Sequence, residues 1–344
     1  MSLKQVVLGI DIGGTNTVLG LVDEKGSCYL KYEISSEGHL PADSLINRLF
    51  YSFKKKFDPV RNVFELIGIG LAAPSANYFK GTVENPGNLN WGYVNIVELI
   101  NKHYELPVSV INDANAAAIG EMKFGIAKNF NNFIEITLGT GLGSGLVING
   151  NLVYGQDGFA GEFGHTIVEE NGRHCGCSRR GCLETYASAS GIIRTVFELL
   201  SVYRDESCLR DYSFNSLSSK LIYEAAMKGD KIANLAFEYT GNKLGKALSN
   251  SIAYLNPEAI ILFGGLALAG NLILNPVRYH LEDSLLNLYK GKVKLLVSDL
   301  MNYDNAAIMG AAAIVWHKIK GNNSPGILTE RIKIEAMNNS VIKK

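Results

Sequence analysis

The chain has no excess charge of either sign: 33 lysines and arginines balance 33 aspartates and glutamates over 344 residues. Without a basic stripe it lacks the electrostatic footprint of a nucleic-acid binder or of a protein held on anionic lipid. Small molecules or protein subunits are the expected partners. No apolar run is long enough for a membrane span. The opening MSLKQVVLGIDIGG has no apolar signal segment with a cleavage site, because glycine and aspartate interrupt it early, so the expected location is the cytoplasm. Cysteine is scarce, at five, yet Cys175, Cys177 and Cys182 fall within eight positions. That bunching suits thiolate metal ligands in a reducing compartment rather than a disulfide framework.

What the chain does contain is an α/β pattern, long enough for two domains with a core each. Strand-length apolar runs (QVVLGID, TVLGLVD, ELIGIGLAA, LPVSVIND, NFIEITLG, GSGLVING, EAIILFGG, KVKLLVSD) alternate with segments of helical period such as ADSLINRLFYSFKKKF, VNIVELINKHY, ANAAAIGEMKFG and the long DKIANLAFEYTGNKLGKALSNSIAYL. A weak internal repeat links residues 6–26 with residues 133–151: an apolar strand, a Gly/Thr-rich turn, a second apolar strand, then a polar turn. Small residues in such a turn let backbone amides approach an anion without Cβ obstruction. Neither turn is a Walker A loop, and neither leads into a helix as a dinucleotide fingerprint requires. Singly they read as ordinary hairpins; as a pair at matching positions they point to phosphate.

Several side chains carry candidate chemistry, each with a plainer structural reading. Asp11, at a strand end before the first turn, reads as a Mg²⁺ contact or as an Asx-turn. Asn112 and Asp113 stand where a buried strand gives way to an alanine-rich helix. Asp113 is the helix N-cap, a general base at the carboxyl end of a strand, or both, with Asn112 as a neutral hydrogen-bonding partner. The three clustered cysteines need a fourth ligand for a closed, structural zinc site; His165 is the first candidate and His174 the second. Such a site would pin Glu162 and Glu184 to one rigid loop, where two carboxylates suit a polyhydroxylated ligand. The plainer readings are a solvated turn for Glu162 and a helix-start charge for Glu184. Gly264 and Gly265 allow flat approach of a purine or form a simple strand-to-helix turn, and Asn88 and Asn90 beside Trp91 read as a sugar-contacting surface or as a plain loop.

In this order, DIGGT, NDANAAAIGE, LGTGLGSG, GEFGH, CGCSRRGCLE and FGG resemble the ROK family (repressor, open reading frame, kinase), and within it the bacterial glucokinase branch, from about Val6 to Trp316. The resemblance implies an α/β actin-like ATPase fold, ribonuclease-H-like and duplicated, with ATP and sugar in an interdomain cleft. It implies phosphate hairpins at Asp11, Gly13, Gly14 and Thr15 and at Gly139, Thr140 and Gly141, an adenosine motif at Gly264 and Gly265, and Asp113 as catalytic base. Asn88, Asn112, Asp113, Glu162, His165 and Glu184 match the family's sugar contacts, and His165, Cys175, Cys177 and Cys182 its zinc site. ATP, Mg²⁺ and structural Zn²⁺ are the implied cofactors, and a homodimer or tetramer the implied assembly. The expected division is an N-terminal domain over residues 1–115 with a helix at about 304–320 packed back on it, a larger domain over 116–303 carrying the cysteine loop, and a polar tail over 321–344.

Two departures stand out. Where the family usually has glycine after the second cysteine this chain has Ser178, and where the loop after GLAAP usually continues with glycine it has Ser75. The expected reaction is phosphorylation of a hexose, with glucose favoured and N-acetylmannosamine, N-acetylglucosamine, fructose and allose as alternatives within the family. A non-catalytic sugar-sensing repressor is the rival class. Repressors of this family carry a helix-turn-helix domain ahead of DIGGT, and a first strand starting by Gln5 is expected to leave no room for one.

Overall fold

The computed structural model describes residues 2–300 and 306–319; the expected tail at 321–344 lies outside them. In chain order the first part comprises β1 (Lys4–Ile12), β2 (Asn16–Val22), β3 (Cys28–Ser35), α1 (Ala42–Phe57), β4 (Phe64–Ala73), β5 (Ala76–Asn77), β6 (Thr82–Glu84), β7 (Tyr93–Asn95), α2 (Ile96–Asn101), β8 (Val108–Asn112) and α3 (Asp113–Phe124). The second part comprises β9 (Phe133–Leu138), β10 (Leu142–Ile148), β11 (Asn151–Leu152), α4 (Glu184–Ala187), α5 (Ala189–Val202), α6 (Ser219–Met227), α7 (Lys231–Leu255), β12 (Ala259–Phe263), α8 (Asn271–Ser284), β13 (Lys294–Val297) and α9 (Ala306–Ile319). No described helix is long and apolar enough to cross a membrane.

The internal repeat is a repeat of topology. One five-stranded sheet runs β3-β2-β1-β4-β8 and the other β11-β10-β9-β12-β13. In each, the first hairpin is antiparallel and the next two strands join parallel to its first strand. Both Gly/Thr turns therefore occupy the same place, between the first two strands of their sheets. The central strands are apolar on both faces, as VVLGI and AIILF require, because helices cover both sides.

Two helices lie between the sheets. α9 packs on β1 and β4, and α3 packs on β10 and on α9. Glycines make the close approach possible: an added Cβ at Gly70 would meet the Ala311 carbonyl, one at Gly310 the Ala116 carbonyl, and one at Gly120 the Ala306 carbonyl. α9 thus returns to pack on the first sheet. α3 runs unbroken across residue 115, where the boundary between domains was expected.

Candidate active site

β8 delivers Asn112 and Asp113 to the start of α3, and the cap falls one residue earlier than the plainer reading of Asp113 had it. Asn112 is the N-cap, its Oδ1 accepting from the N–H groups of Ala114 (3.0 Å) and Asn115 (3.3 Å). An Asx side chain caps best from the residue whose backbone is still extended, and that residue is Asn112, at ψ 143°. Its Nδ2 is left as a donor. Asp113 accepts from Ala114 N through Oδ1 at 2.9 Å, while its Oδ2 makes no hydrogen bond among the described residues. Desolvation raises the Asp113 carboxyl above the usual aspartate range, against the backbone hydrogen bonds that favour the charged form.

The two Gly/Thr turns are held by their carbonyls. In the first, Ser36 Oγ donates to Gly13 O (2.6 Å) and Ser36 N–H to Thr15 O (2.8 Å). In the second, Ser190 Oγ donates to Thr140 O and Ala189 N–H to Gly139 O, each at 2.9 Å. Gly139 has no neighbour nearer than 4.0 Å to an added Cβ, and Gly265 has none at all, so both border open space. Gly264, at φ +95°, packs its bare α-carbon on the Leu138 carbonyl beside the second turn. Asp11 sits on β1 opposite Val18, just before the first turn, and Asn88 lies against Gly14 across that turn. Trp91 is not part of a ligand surface: it is buried in the core and its indole N–H donates to Leu40 O.

One His/Cys cluster stands out among the described residues. His165, Cys175, Cys177 and Cys182 place one ligand atom each within 4.8 Å of all the others. Cys175 Sγ is 3.6 Å from His165 Nδ1, and Cys177 Sγ is 3.6 Å from Cys182 Sγ. Zn–S bonds of about 2.3 Å at tetrahedral angles require S···S separations of about 3.8 Å, so the donor set fits that ion. His174 is outside the cluster; its backbone bridges to Arg180 and it is exposed. Cys177 is drawn down to about 6: desolvation opposes its thiolate, but hydrogen bonds from Arg179 prevail.

The carboxylates near the cluster differ in kind. Glu184 is tied down, its Oε2 accepting from Leu142 N–H at 2.9 Å and its Oε1 lying 3.7 Å from Cys175 Sγ. Glu162 has its side chain more than half exposed and lies 3.9 Å from His165 Nε2. A metal on Nδ1 would leave Nε2 of His165 facing Glu162, which fixes the tautomer as an Nε2–H donor. Partial desolvation, then the charges of Asp113 and Glu184, raise the Glu162 carboxyl, and His165 opposes them. Exposure screens those charge effects. The structure brings Glu162, His165 and Glu184 together around the cysteine cluster, and sets Asp113 beside Asn112 at the start of α3. Asn88 belongs to the first turn.

The motifs in this geometry match the profile described as the ROK family over residues 7–318. The chain belongs to the ROK family. It is 35% identical over 319 residues to a glucokinase of Halalkalibacterium halodurans, covering 90% of this chain and 94% of that one. It is 30% identical over 311 residues to the xylose repressor of Bacillus subtilis, covering 90% of this chain and 76% of the repressor. Among solved structures, the ROK family glucokinase from Streptomyces griseus, in complex with glucose and AMPPNP, superposes with a TM-score of 0.77 at 30% identity. The match covers 90% of this chain and 98% of that one. The actin-like ATPase fold implied by the ROK motifs is borne out, and the two matching sheets are its duplicated halves.

Sequence reasoning missed Ser36 and Ser190. Neither stands within its motif: Ser36 is 23 residues from the carbonyl its hydroxyl holds, and Ser190 is 50 residues from its own. A serine just past a strand and a serine in the first turn of a helix are too common to be singled out.

Proposed function

We propose that this ROK protein is an ATP-dependent sugar kinase that phosphorylates a hexose, with glucose converted to glucose 6-phosphate. The observation that carries the reading is Asp113, a recessed carboxylate with one oxygen anchored on the helix and the other open, beside the spare donor of Asn112. Its glucokinase relatives support the choice of sugar.

In this reading Asp113 Oδ2 accepts the proton of the sugar 6-hydroxyl as that oxygen attacks the γ-phosphorus in line, and ADP leaves. A raised carboxyl pKa makes Asp113 a better proton acceptor than an ordinary aspartate, provided it is ionised at the working pH. Asn112 Nδ2 and His165 Nε2–H donate to sugar oxygens, and Glu162 accepts from sugar hydroxyls. The unpartnered amides of the two Gly/Thr turns receive the phosphates, Gly264 and Gly265 flank the adenosine, and Asp11 would hold Mg²⁺, directly or through water, with the hard oxygen ligand that this ion prefers. Bound Mg²⁺ supplies charge neutralisation on the phosphates. Zinc at His165, Cys175, Cys177 and Cys182 would be structural, because four protein ligands leave no open position. The first sheet with α9, and the second sheet with its helices, would close on the sugar and exclude water, the competing nucleophile.

The test is a coupled ADP-release assay with MgATP against glucose, mannose, fructose, allose and N-acetylhexosamines, with Asp113→Asn alongside. Glucose-dependent release by the wild type alone is the expected result. Silence across the panel, with sugar binding retained by calorimetry, would transfer the protein to the sensor class, to which the xylose repressors sharing 30% identity belong.

A further inference from the structure

The two turns are built the same way at a level below the motif. In the first, Ser36 Oγ donates its one proton to Gly13 O, so its 2.8 Å contact with Thr17 Oγ1 is a hydrogen bond donated by Thr17. In the second, Ser190 Oγ donates to Thr140 O, so its 3.0 Å contact with Ser188 Oγ is donated by Ser188, whose oxygen also accepts from Gly191 N–H. A backbone N–H from the same serine, or from its neighbour, holds a second turn carbonyl in each case. Two turns 126 residues apart, between Gly13 and Gly139, thus share a serine hydroxyl on a carbonyl, a second hydroxyl behind it and a backbone amide beside it.

A trans peptide is planar, so its C=O and the next N–H point in opposite directions. Holding Gly13 O fixes the Gly14 N–H on the other side; holding Gly139 O and Thr140 O does the same for the N–H groups of Thr140 and Gly141. These three amides have no partner among the described residues. We infer that Ser36 and Ser190 are positioning residues for the nucleotide phosphates, each anchoring a turn by its carbonyls so that its amides face the anion. The inference rests on the kinase reading for the identity of the anion.

Ser190 is half-buried and gives the cleaner test, because its removal opens no core cavity. In Ser190→Ala, the KM for MgATP and the Kd for a non-hydrolysable ATP analogue should rise about five- to thirty-fold, while sugar Kd and melting temperature stay near wild type. Ser190→Thr, which keeps the hydroxyl, should restore nucleotide affinity. Ser36→Ala should show the same split together with a lower melting temperature, since Ser36 is buried and Thr17 loses its acceptor. Unchanged nucleotide affinity in Ser190→Ala overturns the inference, as does a parallel loss of sugar affinity, nucleotide affinity and stability that Ser190→Thr does not rescue. A wild type that binds the analogue but never turns over sugar overturns the kinase reading and leaves this test standing.

Discussion

Asp113 has two inequivalent oxygens: Oδ1 holds the first turn of α3 through Ala114 N–H, and Oδ2 is left for a proton. Asp113→Asn keeps the shape and the helix contact but removes the proton acceptor. Turnover should fall by at least about a hundredfold with sugar affinity within a few-fold of wild type; near-normal turnover would rule out the base. The raised carboxyl also fixes the sign of the pH profile. The base acts only when ionised, so kcat/KM should drop as pH falls through the Asp113 pKa, and that acid limb should lie above the pH at which an exposed aspartate titrates. A limb at or below the ordinary aspartate range would contradict the desolvation argument. Ser75 and Ser178 make a different residue-scale point. Both have left-handed backbones, with φ of +53° and +70°, which explains why glycine is usual at these places. Ser178→Gly should stabilise the fold by about 0.5–1 kcal/mol in urea unfolding, the relief of a left-handed side-chain clash outweighing glycine's extra freedom in the unfolded chain; a destabilised variant would mean that the serine side chain supports the cysteine turn.

At the scale of elements, the most unusual side chain is Glu135, in the middle of β9 and without exposed surface. Only Thr137 Oγ1 donates to it in its own strand, and Glu121 and Asp113 add repulsion to a carboxyl that burial already raises well above the usual glutamate range. The native state therefore binds this proton more tightly than the unfolded chain does, and stability contributed by the protonated form is lost as pH rises from the ordinary glutamate range through the raised pKa. Glu135→Gln removes that loss and still accepts from Thr137. It should be more stable than wild type by about 1 kcal/mol or more at pH 7.5, with the advantage shrinking towards pH 4.5; a constant difference between urea unfolding curves at the two pH values would refute it. Legibility at this scale followed burial. Each of the eight apolar runs named from the sequence lies on a strand, and the four segments of helical period hold α1, α2, α3 and α7. β3 was not named, because CYLKYEIS alternates half-exposed and exposed positions, and β5, β6 and β7 are two or three residues long. Within the candidate site, side chains inside motifs could be read from their spacing. The cap register at Asn112, the anchoring of Glu184 on Leu142 N–H and the two serines could not, because tertiary contacts decide each of them.

Across the whole molecule, the proposed base and the two turns proposed to hold phosphate are carried by different elements, and their relative placement depends on how α3 and α9 cross between the sheets. At that crossing the two backbones come into direct contact: Gly120 faces the Ala306 carbonyl and Gly310 faces the Ala116 carbonyl, too close for any Cβ. Gly310→Ala would place a methyl group against Ala116 O, and α3 would have to move to relieve it, carrying Asp113 at its first residue. Overpacking of this kind costs about 1–3 kcal/mol, and a displacement of about 1 Å at a reacting group costs roughly a hundredfold in rate. Gly310→Ala should therefore melt several degrees lower and lose kcat more than sugar affinity, because in-line transfer is more sensitive than binding to a small shift of the reacting atoms. Gly92→Ala, at an exposed glycine with nothing within 4 Å of an added Cβ, should match wild type in both measurements. If Gly310→Ala melts lower but keeps its kcat, the crossing stabilises the fold without setting the distance from base to phosphate; that distance would then have to be maintained by the links that bypass α9, such as Asn77 Nδ2 to Asp157 O and the stacked rings of Tyr78 and Tyr154.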